Sequence, residues 1–599
     1  MISLNNNWPN TDNATRYKLF AELVVELVHS SSWDSYKCHT LSTVTKLREA
    51  AISCQKTIGR TVPKAGLQPI IDEINDAIAS DLILVGILKD KKLANLDLTL
   101  RYSDPVEKIL GRVELLLDIA ENDYQEFCEA KVKTICTDQG SKINLQTVSK
   151  LYISFLVNAG FSKSYILACA NEVFRDRDIG RCTPTLLQRF FGHFNRDGLR
   201  KFTLLFSGRS SYMEFMADLF GRQTFAEQSD LPNFPIGDLP PLFGSGSKKK
   251  IAAFSGIPAS DPFSAAKAGE TILGVTKSFH YLHPSQAGGG TDRVIYVVDE
   301  KRSKATRVDI RNLFQPHQHL RSRASQPTSV EGLAKYVFQG HSRKGRQRQD
   351  RLLRSLNSVA LASNSSDLES RLIAIWSAFE ALLPEPSKEE GKSVRITHFV
   401  PLIIPCACYD YLWANFNECY ENCTKQFGDA FEDCVSHHSG SESAKGLASI
   451  MLGEKPAKDA VLQQVRSSPL MLSRMGKLHN LINKPSKLIK YWKLHEDRVG
   501  WQIHRIYRER NDIVHKGAKS PFLEGLVENS YGYYRGVFLG LEAVDKRFKV
   551  GDPTRALELI SELYREKRTT IQGISQSEKL SSEQKKEQIL DAIFEDRLC

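Results

Sequence analysis

The stretch Tyr507-Arg-Glu-Arg-Asn-Asp-Ile-Val-His515-Lys-Gly517 is the most informative string in this chain. The apolar spacing around it predicts a helix over 499–516, stopped by Gly517. Asn511 and His515 stand at i,i+4 and share a face. Arg510 and His515 are five apart, about 140° around the axis of a 3.6-residue helix. One helix therefore does not aim both at a single atom, whereas two copies about a two-fold axis pool two Arg and two His in one cleft. Such a cleft suits RNA cleavage without a metal. Imidazole titrates near neutrality, so it can take a proton from a ribose 2′-OH or give one to the leaving 5′-oxygen. Guanidinium can hold the phosphate at two points and offset charge that builds in the transition state. The expected product is a 2′,3′-cyclic phosphate, and DNA resists. The string by itself is read more simply as an ordinary helix end, with Arg paired to a neighbouring carboxylate and His set against the helix dipole.

Working outward, 523–544 reads as a further helix whose aromatic and small residues (Tyr531, Tyr533, Tyr534, Gly536, Gly540) allow close packing. Upstream, 349–361 and 367–383 are the best-formed helical pair. SNSSD at 363–367 supplies turn residues and an N-cap, and Pro384 ends the second helix. The GKS in the loop that follows lacks the first glycine of a phosphate-binding P-loop, because Pro386 stands there, so an ATPase site is rejected.

The segment RNDIVHKG resembles the Arg-Asn-x-x-x-His signature of HEPN domains, small all-helical domains that dimerise and often act as ribonucleases. Arg371-Leu-Ile-Ala-Ile-Trp-Ser-Ala-Phe-Glu380-Ala-Leu-Leu383 resembles the early helix of Apea-like HEPN proteins, in which a Trp and a Glu occupy these places. The basic helix before it, 351–361, resembles the one that opens that domain. The matches stand in family order and cover 351–545, about a third of the chain.

The resemblance implies a metal-independent endoribonuclease that cuts RNA, often transfer RNA, and works as a homodimer or higher homo-oligomer with no cofactor. Arg510 and His515 are then the catalytic pair. Asn511 orients the His or contacts phosphate, and Glu380 steers Arg510 by a charge-assisted hydrogen bond. Trp376, one turn before Glu380, packs the core as a Trp at helical spacing usually does. Proteins of this kind resemble bacterial antiviral toxins that arrest an infected cell (abortive infection), which implies a cytoplasmic hydrolase with a phage-derived trigger. The alternative is a HEPN module without catalysis, a dimerisation or nucleotide-binding scaffold that regulates a partner. More than a hundred residues separate Leu383 from Val499, long for a four-helix domain.

The whole chain has 599 residues, 41% hydrophobic and 25% charged, which excludes a disordered or fibrous protein. The expected class is mainly α: an α+β N-terminal and middle region, then an all-helical HEPN bundle with a large insertion. The organisation expected is a mostly helical regulatory domain over 1–240, a small α+β region over 241–330, the HEPN domain over 331–550 with its insertion at 384–498, and a helical tail over 551–599. Within this frame 145–173 reads as a helical hairpin broken at Gly160. Strands are expected at 201–206, 250–254, 293–298 and 306–310. The Pro- and Gly-rich stretch 228–250 reads as a connection, and AGGGTD at 287–292 as an ordinary turn.

Net charge is +11, and all of it lies in 301–355, which holds 14 Lys plus Arg against 3 Asp plus Glu. Arg343, Lys344, Arg346, Arg348, Arg351 and Arg354 run into the first HEPN helix, with Arg321 and Arg323 upstream. They read as a salt-sensitive, sequence-independent grip on RNA phosphates. Most of the 12 cysteines are scattered, as in a reduced cytosolic protein. Cys419, Cys423, Cys434 and His437 form a low-ranking zinc candidate beside the main expectation of no metal, because Cys is commonly a small buried residue. SHHSGSESAK (436–445) reads as a mobile tip. No secretory pattern opens the sequence, and the most apolar stretch, 399–413, is too short and too proline-broken to span a bilayer, so no membrane association is expected.

Overall fold

The structure, a computed structural model, describes residues 8–9, 11–29, 41–137, 141–175, 184–194, 198–220, 249–282, 291–301, 305–310, 330–338, 343–365, 367–384, 395–517 and 522–598. The described residues are mainly helical with a small antiparallel sheet. The chain divides into two compact units. One comprises Met1–Phe155, Phe174–Pro184 and Pro316–Cys599; the other comprises residues 156–173 and 185–315. The connection 228–248, the loop holding GKS, most of AGGGTD, and Arg321 and Arg323 lie outside the described residues.

The smaller unit holds the sheet. Its strands are β1 (Arg200–Arg209), β2 (Lys249–Ala259), β3 (Thr291–Asp299) and β4 (Ala305–Asp309), in the order β2-β1-β3-β4. All four expected strands are present. Alternation sets the faces: Phe202, Leu204 and Phe206 point into the main core with Ile295 and Val297, while Leu205 points the other way with Tyr296. The helix Pro262–Leu282 lies close on this core at Gly269, where a Cβ would stand 3.0 Å from both Leu204 and Phe206. Its start is capped by Asp261, a fully buried carboxylate that accepts from the Phe263 and Ser264 backbone N–H groups. The same carboxylate accepts the Ser162 N–H, where the helix Lys163–Phe174 begins. Gly160, at φ +96°, makes the turn into that helix from Lys142–Asn158, as the hairpin reading requires.

The larger unit carries the candidate site. The helices Arg343–Asn364 and Leu368–Leu382 pack as a pair. Asp367 caps the second through the Ser370 N–H at 2.8 Å. The helix Leu523–Phe548 packs against Leu368–Leu382 and against Arg395–Cys408. At Gly536 a Cβ would lie 3.1 Å from the Cys406 carbonyl oxygen, so the backbones approach too closely for a side chain. The first helix of the stretch 384–498 thus packs directly on the helix Leu523–Phe548.

Two local expectations are corrected. The motif helix begins at Pro485, not at 499. Its apolar row runs through Leu488, Trp492, His495 and Val499, all buried, and the histidine hides the periodicity; its ring stacks on Tyr411 at 3.5 Å. The stretch 436–445 is a capped corner between the helices Asp429–Ser439 and Ala444–Leu452. Gly440 takes the left-handed cap, and the Ser443 hydroxyl accepts the Gly446 N–H. A Cβ at Gly446 would stand 2.6 Å from the Ser441 carbonyl oxygen. Two tail helices follow, Pro553–Gln576 and Ser582–Phe594, the latter with a capping box of Ser581 and Gln584.

Candidate active site

The motif helix Pro485–Lys516 presents three different faces. Its apolar face is anchored by Trp492, Val499, Ile503 and Ile506. Gly500 lets Ile404 approach, since a Cβ there would lie 3.3 Å from its Cδ1. Gly517, at φ +59°, closes the helix one residue beyond Lys516 and donates its N–H to Ile513 at 3.0 Å. This termination leaves His515 exposed in the last turn.

Arg510 faces the helix Leu368–Leu382. Its Nη2 stands 3.6 Å from Glu380 Oε2, and its Nη1 donates to Asn511 Oδ1 at 3.0 Å. Its Nε is buried without a hydrogen-bond partner. The other oxygen of Glu380 accepts the indole N–H of Trp376 at 3.0 Å. Trp376 is fully buried among Phe379, Phe399 and Tyr507, so it packs the core as expected. Glu380, Arg510 and Asn511 therefore come together, while His515 sits apart on the exposed side of the same helix.

The remaining face carries a charge network that the sequence reading missed. Arg505 is fully buried and donates Nε and Nη2 to Glu49 at 2.8–3.1 Å. Its Nη2 also pairs with Glu73. Lys46 lies 3.3 Å from Glu73, and Arg508 donates to Glu49 at 2.7 Å. Burial by itself would raise the Glu49 carboxyl, but the charges of Arg505 and Arg508 outweigh it and hold it at about 2. Burial would likewise lower Arg505, and the two glutamates reverse this. Nearer the helix end, Asp512 binds Lys56 at 2.7 Å and Lys516 at 2.9 Å. The helices Thr43–Ile58 and Gln68–Ser80 thus grip the helix that carries the motif. The available signal was Arg505 itself, a cation in sequence between the apolar Ile503 and Ile506, but its partners lie over 400 residues away.

The six basic residues of the strip separate. The side chains of Arg343, Lys344 and Arg346 lie outside the described residues. Arg348 donates to the Tyr336 carbonyl at 2.8 Å, stacks on that ring and pairs with Asp545. Arg351 donates to the Ala381 and Leu382 carbonyls, the unpaired end of the helix Leu368–Leu382. Arg354 is exposed. Two of the residues expected on RNA are therefore spent on the protein's own backbone.

Cys419 and Cys423 share the buried face of the helix Tyr411–Phe427, while Cys434 is half-buried and His437 exposed. The hydrogen bond with Cys419, and then burial, push the Cys423 thiol well up, which disfavours the thiolate a metal needs. Among the described residues no group of three or more His, Cys, Asp and Glu is placed to hold a metal ion. No described helix is long and apolar enough to cross a membrane. No family model, no curated protein and no solved structure matches this chain.

Proposed function

We propose that this chain is a metal-independent endoribonuclease of the HEPN type, active when two copies bring their Arg510–His515 helix ends together. The observation that carries this reading is the approach of Glu380 to Arg510 at 3.6 Å across an intervening stretch of more than a hundred residues. This is the pairing that the resemblance over 351–545 implies.

In this mechanism one His515 takes the proton from the ribose 2′-OH, which attacks the phosphorus. The second His515 protonates the departing 5′-oxygen, giving a 2′,3′-cyclic phosphate and a free 5′-hydroxyl. Arg510 offsets the charge on the phosphoryl oxygens, with Glu380 and Asn511 setting its direction. The exposure of His515 leaves it open to a substrate or a second copy. The grip of residues 43–80 on the motif helix supports a restraining or sensing role for the N-terminal part in an antiviral growth-arrest protein.

The test is purified protein incubated with total RNA in the presence of EDTA. Cleavage should persist in chelator, leave cyclic phosphate ends and spare DNA. Arg510→Ala and His515→Ala should each abolish it while melting like the parent. Folded variants that cut at the parental rate overturn the assignment, and RNA binding without cutting favours the scaffold alternative.

A further inference from the structure

The motif helix carries a second polar row besides the Arg510 contact. At about 100° per residue, His504, Arg508, Asn511 and His515 fall within roughly 60° of one another. They form one stripe along the helix, and Arg510 lies off it. Arg508 and His515 are about 10 Å apart along the axis.

The charges behind this stripe do not balance. Glu49 and Glu73 face three cations: Lys46, Arg505 and Arg508. Arg505 alone binds both carboxylates. Among the described residues one positive charge is therefore in excess. The side chains of Arg505 and Lys46 are 1% and 7% exposed and that of Arg508 is 20%, so the excess emerges at Arg508. Arginine cannot relieve it by losing a proton. Of its five N–H donors, one is committed to Glu49.

We propose that Arg508 is a phosphate-binding residue that leaves Glu49 for the RNA backbone and grips a phosphate beside the scissile one. This rests on the ribonuclease reading above. When Arg508 departs, Glu49 keeps its bonds from Arg505, so no carboxylate is stranded in the interior. Asn511 has given only its carbonyl oxygen to Arg510, which leaves its NH2 group to donate along the same stripe. His504, one turn before Arg508, is lowered to about 4 by burial and by the charge of Arg508. At neutral pH it is therefore an uncharged donor and acceptor, suited to a ribose or a base edge.

The experiment uses the full-length chain and a short single-stranded RNA whose 2′-OH groups are all methylated, so that binding is read apart from cleavage. Arg508→Gln should bind the probe roughly tenfold more weakly. The slope of log affinity against log salt should fall by about 0.7, one phosphate contact on a single strand. Arg508→Lys should keep the slope and lose part of the affinity, because it retains the charge without the fork. If Arg508→Gln fails to fold, the lysine variant decides: weaker binding at an unchanged slope supports the proposal, and parental binding overturns it. Parental affinity and slope in folded Arg508→Gln, or a parent that does not bind the probe, also overturn it. Cutting of unmethylated RNA by the parent is scored separately, and its absence removes the ribonuclease reading even where the probe binds.

Discussion

Trp376 donates its indole N–H to Glu380 at 3.0 Å, one turn further along the same helix, and so fixes which carboxylate oxygen faces Arg510. A buried ring thereby sets the direction of a half-exposed charge pair. Substituting Glu380→Gln keeps an acceptor for the indole and removes the charge that attracts the guanidinium. The expected result is roughly 10–100-fold slower single-turnover cleavage, the range for a lost charge-assisted contact. The melting temperature should stay within a few degrees of the parent's. Parental cleavage by Glu380→Gln removes the steering role.

Arg505 anchors the N-terminal helices to the motif helix by a buried network, and removing one member leaves charges without compensation. Arg505→Ala should cost about 3–5 kcal/mol. Hydrogen exchange should accelerate in Thr43–Ile58 and Gln68–Ser80 as well as in Pro485–Lys516. Faster exchange confined to the motif helix would separate the two layers energetically and contradict the anchor.

Two carboxylates set opposite pH dependences. Glu49 is held at about 2, below its unfolded value of 4.5, so its stabilisation is present above 4.5 and is lost as pH falls towards 2. Glu22 accepts the Leu470 N–H and the Ser468 hydroxyl at the start of the helix Pro469–Asn483. Burial pushes its carboxyl up to about 7 despite these bonds and the charge of Lys18. Its stabilisation is therefore full below 4.5 and is lost as pH rises through 7. Glu22→Gln should flatten the fall in melting temperature between pH 5 and 8 and be more stable than the parent at pH 8, by about 1–3 kcal/mol. Parallel curves for the two proteins would show that Glu22 does not titrate in that window.

The basic strip should separate into two classes of residue. Arg351 holds the last carbonyls of a helix, so Arg351→Ala should destabilise by about 1–3 kcal/mol. Arg354→Gln, combined with neutralisation of Arg343, Lys344 and Arg346, should leave melting unchanged and lower the salt slope of RNA binding. An unchanged slope would make this part of the helix a solvated surface only.

The features readable from the chain alone were the local ones. The four strands, the hairpin at Gly160 and the Asp367 cap follow from alternation and turn chemistry, which act over a few residues. Glu380 was reached through family resemblance, since no periodicity links it to Arg510. The Arg505 network was not readable, because a buried ion pair leaves no sequence pattern when its halves lie at opposite ends of the chain. A charge count likewise treats every guanidinium as surface, whereas Arg348 and Arg351 donate to backbone carbonyls and Arg348 also pairs with Asp545. His495 concealed the first half of the motif helix because an aromatic stack can bury a residue that hydropathy scores as polar.

The strand order also has a consequence for synthesis. β1 is central in the sheet, yet both of its neighbours follow it in the chain, β2 at Lys249–Ala259 and β3 at Thr291–Asp299. At about 5–20 residues per second, translation takes roughly 5–20 s to supply both partners. Until β2 is made the apolar segment KFTLLF has two open edges, and until β3 is made it keeps one, the kind of edge that pairs with whatever it meets. The nascent chain at this point is a natural client for a holding chaperone, and slow codons placed before residue 249 would lengthen its exposure.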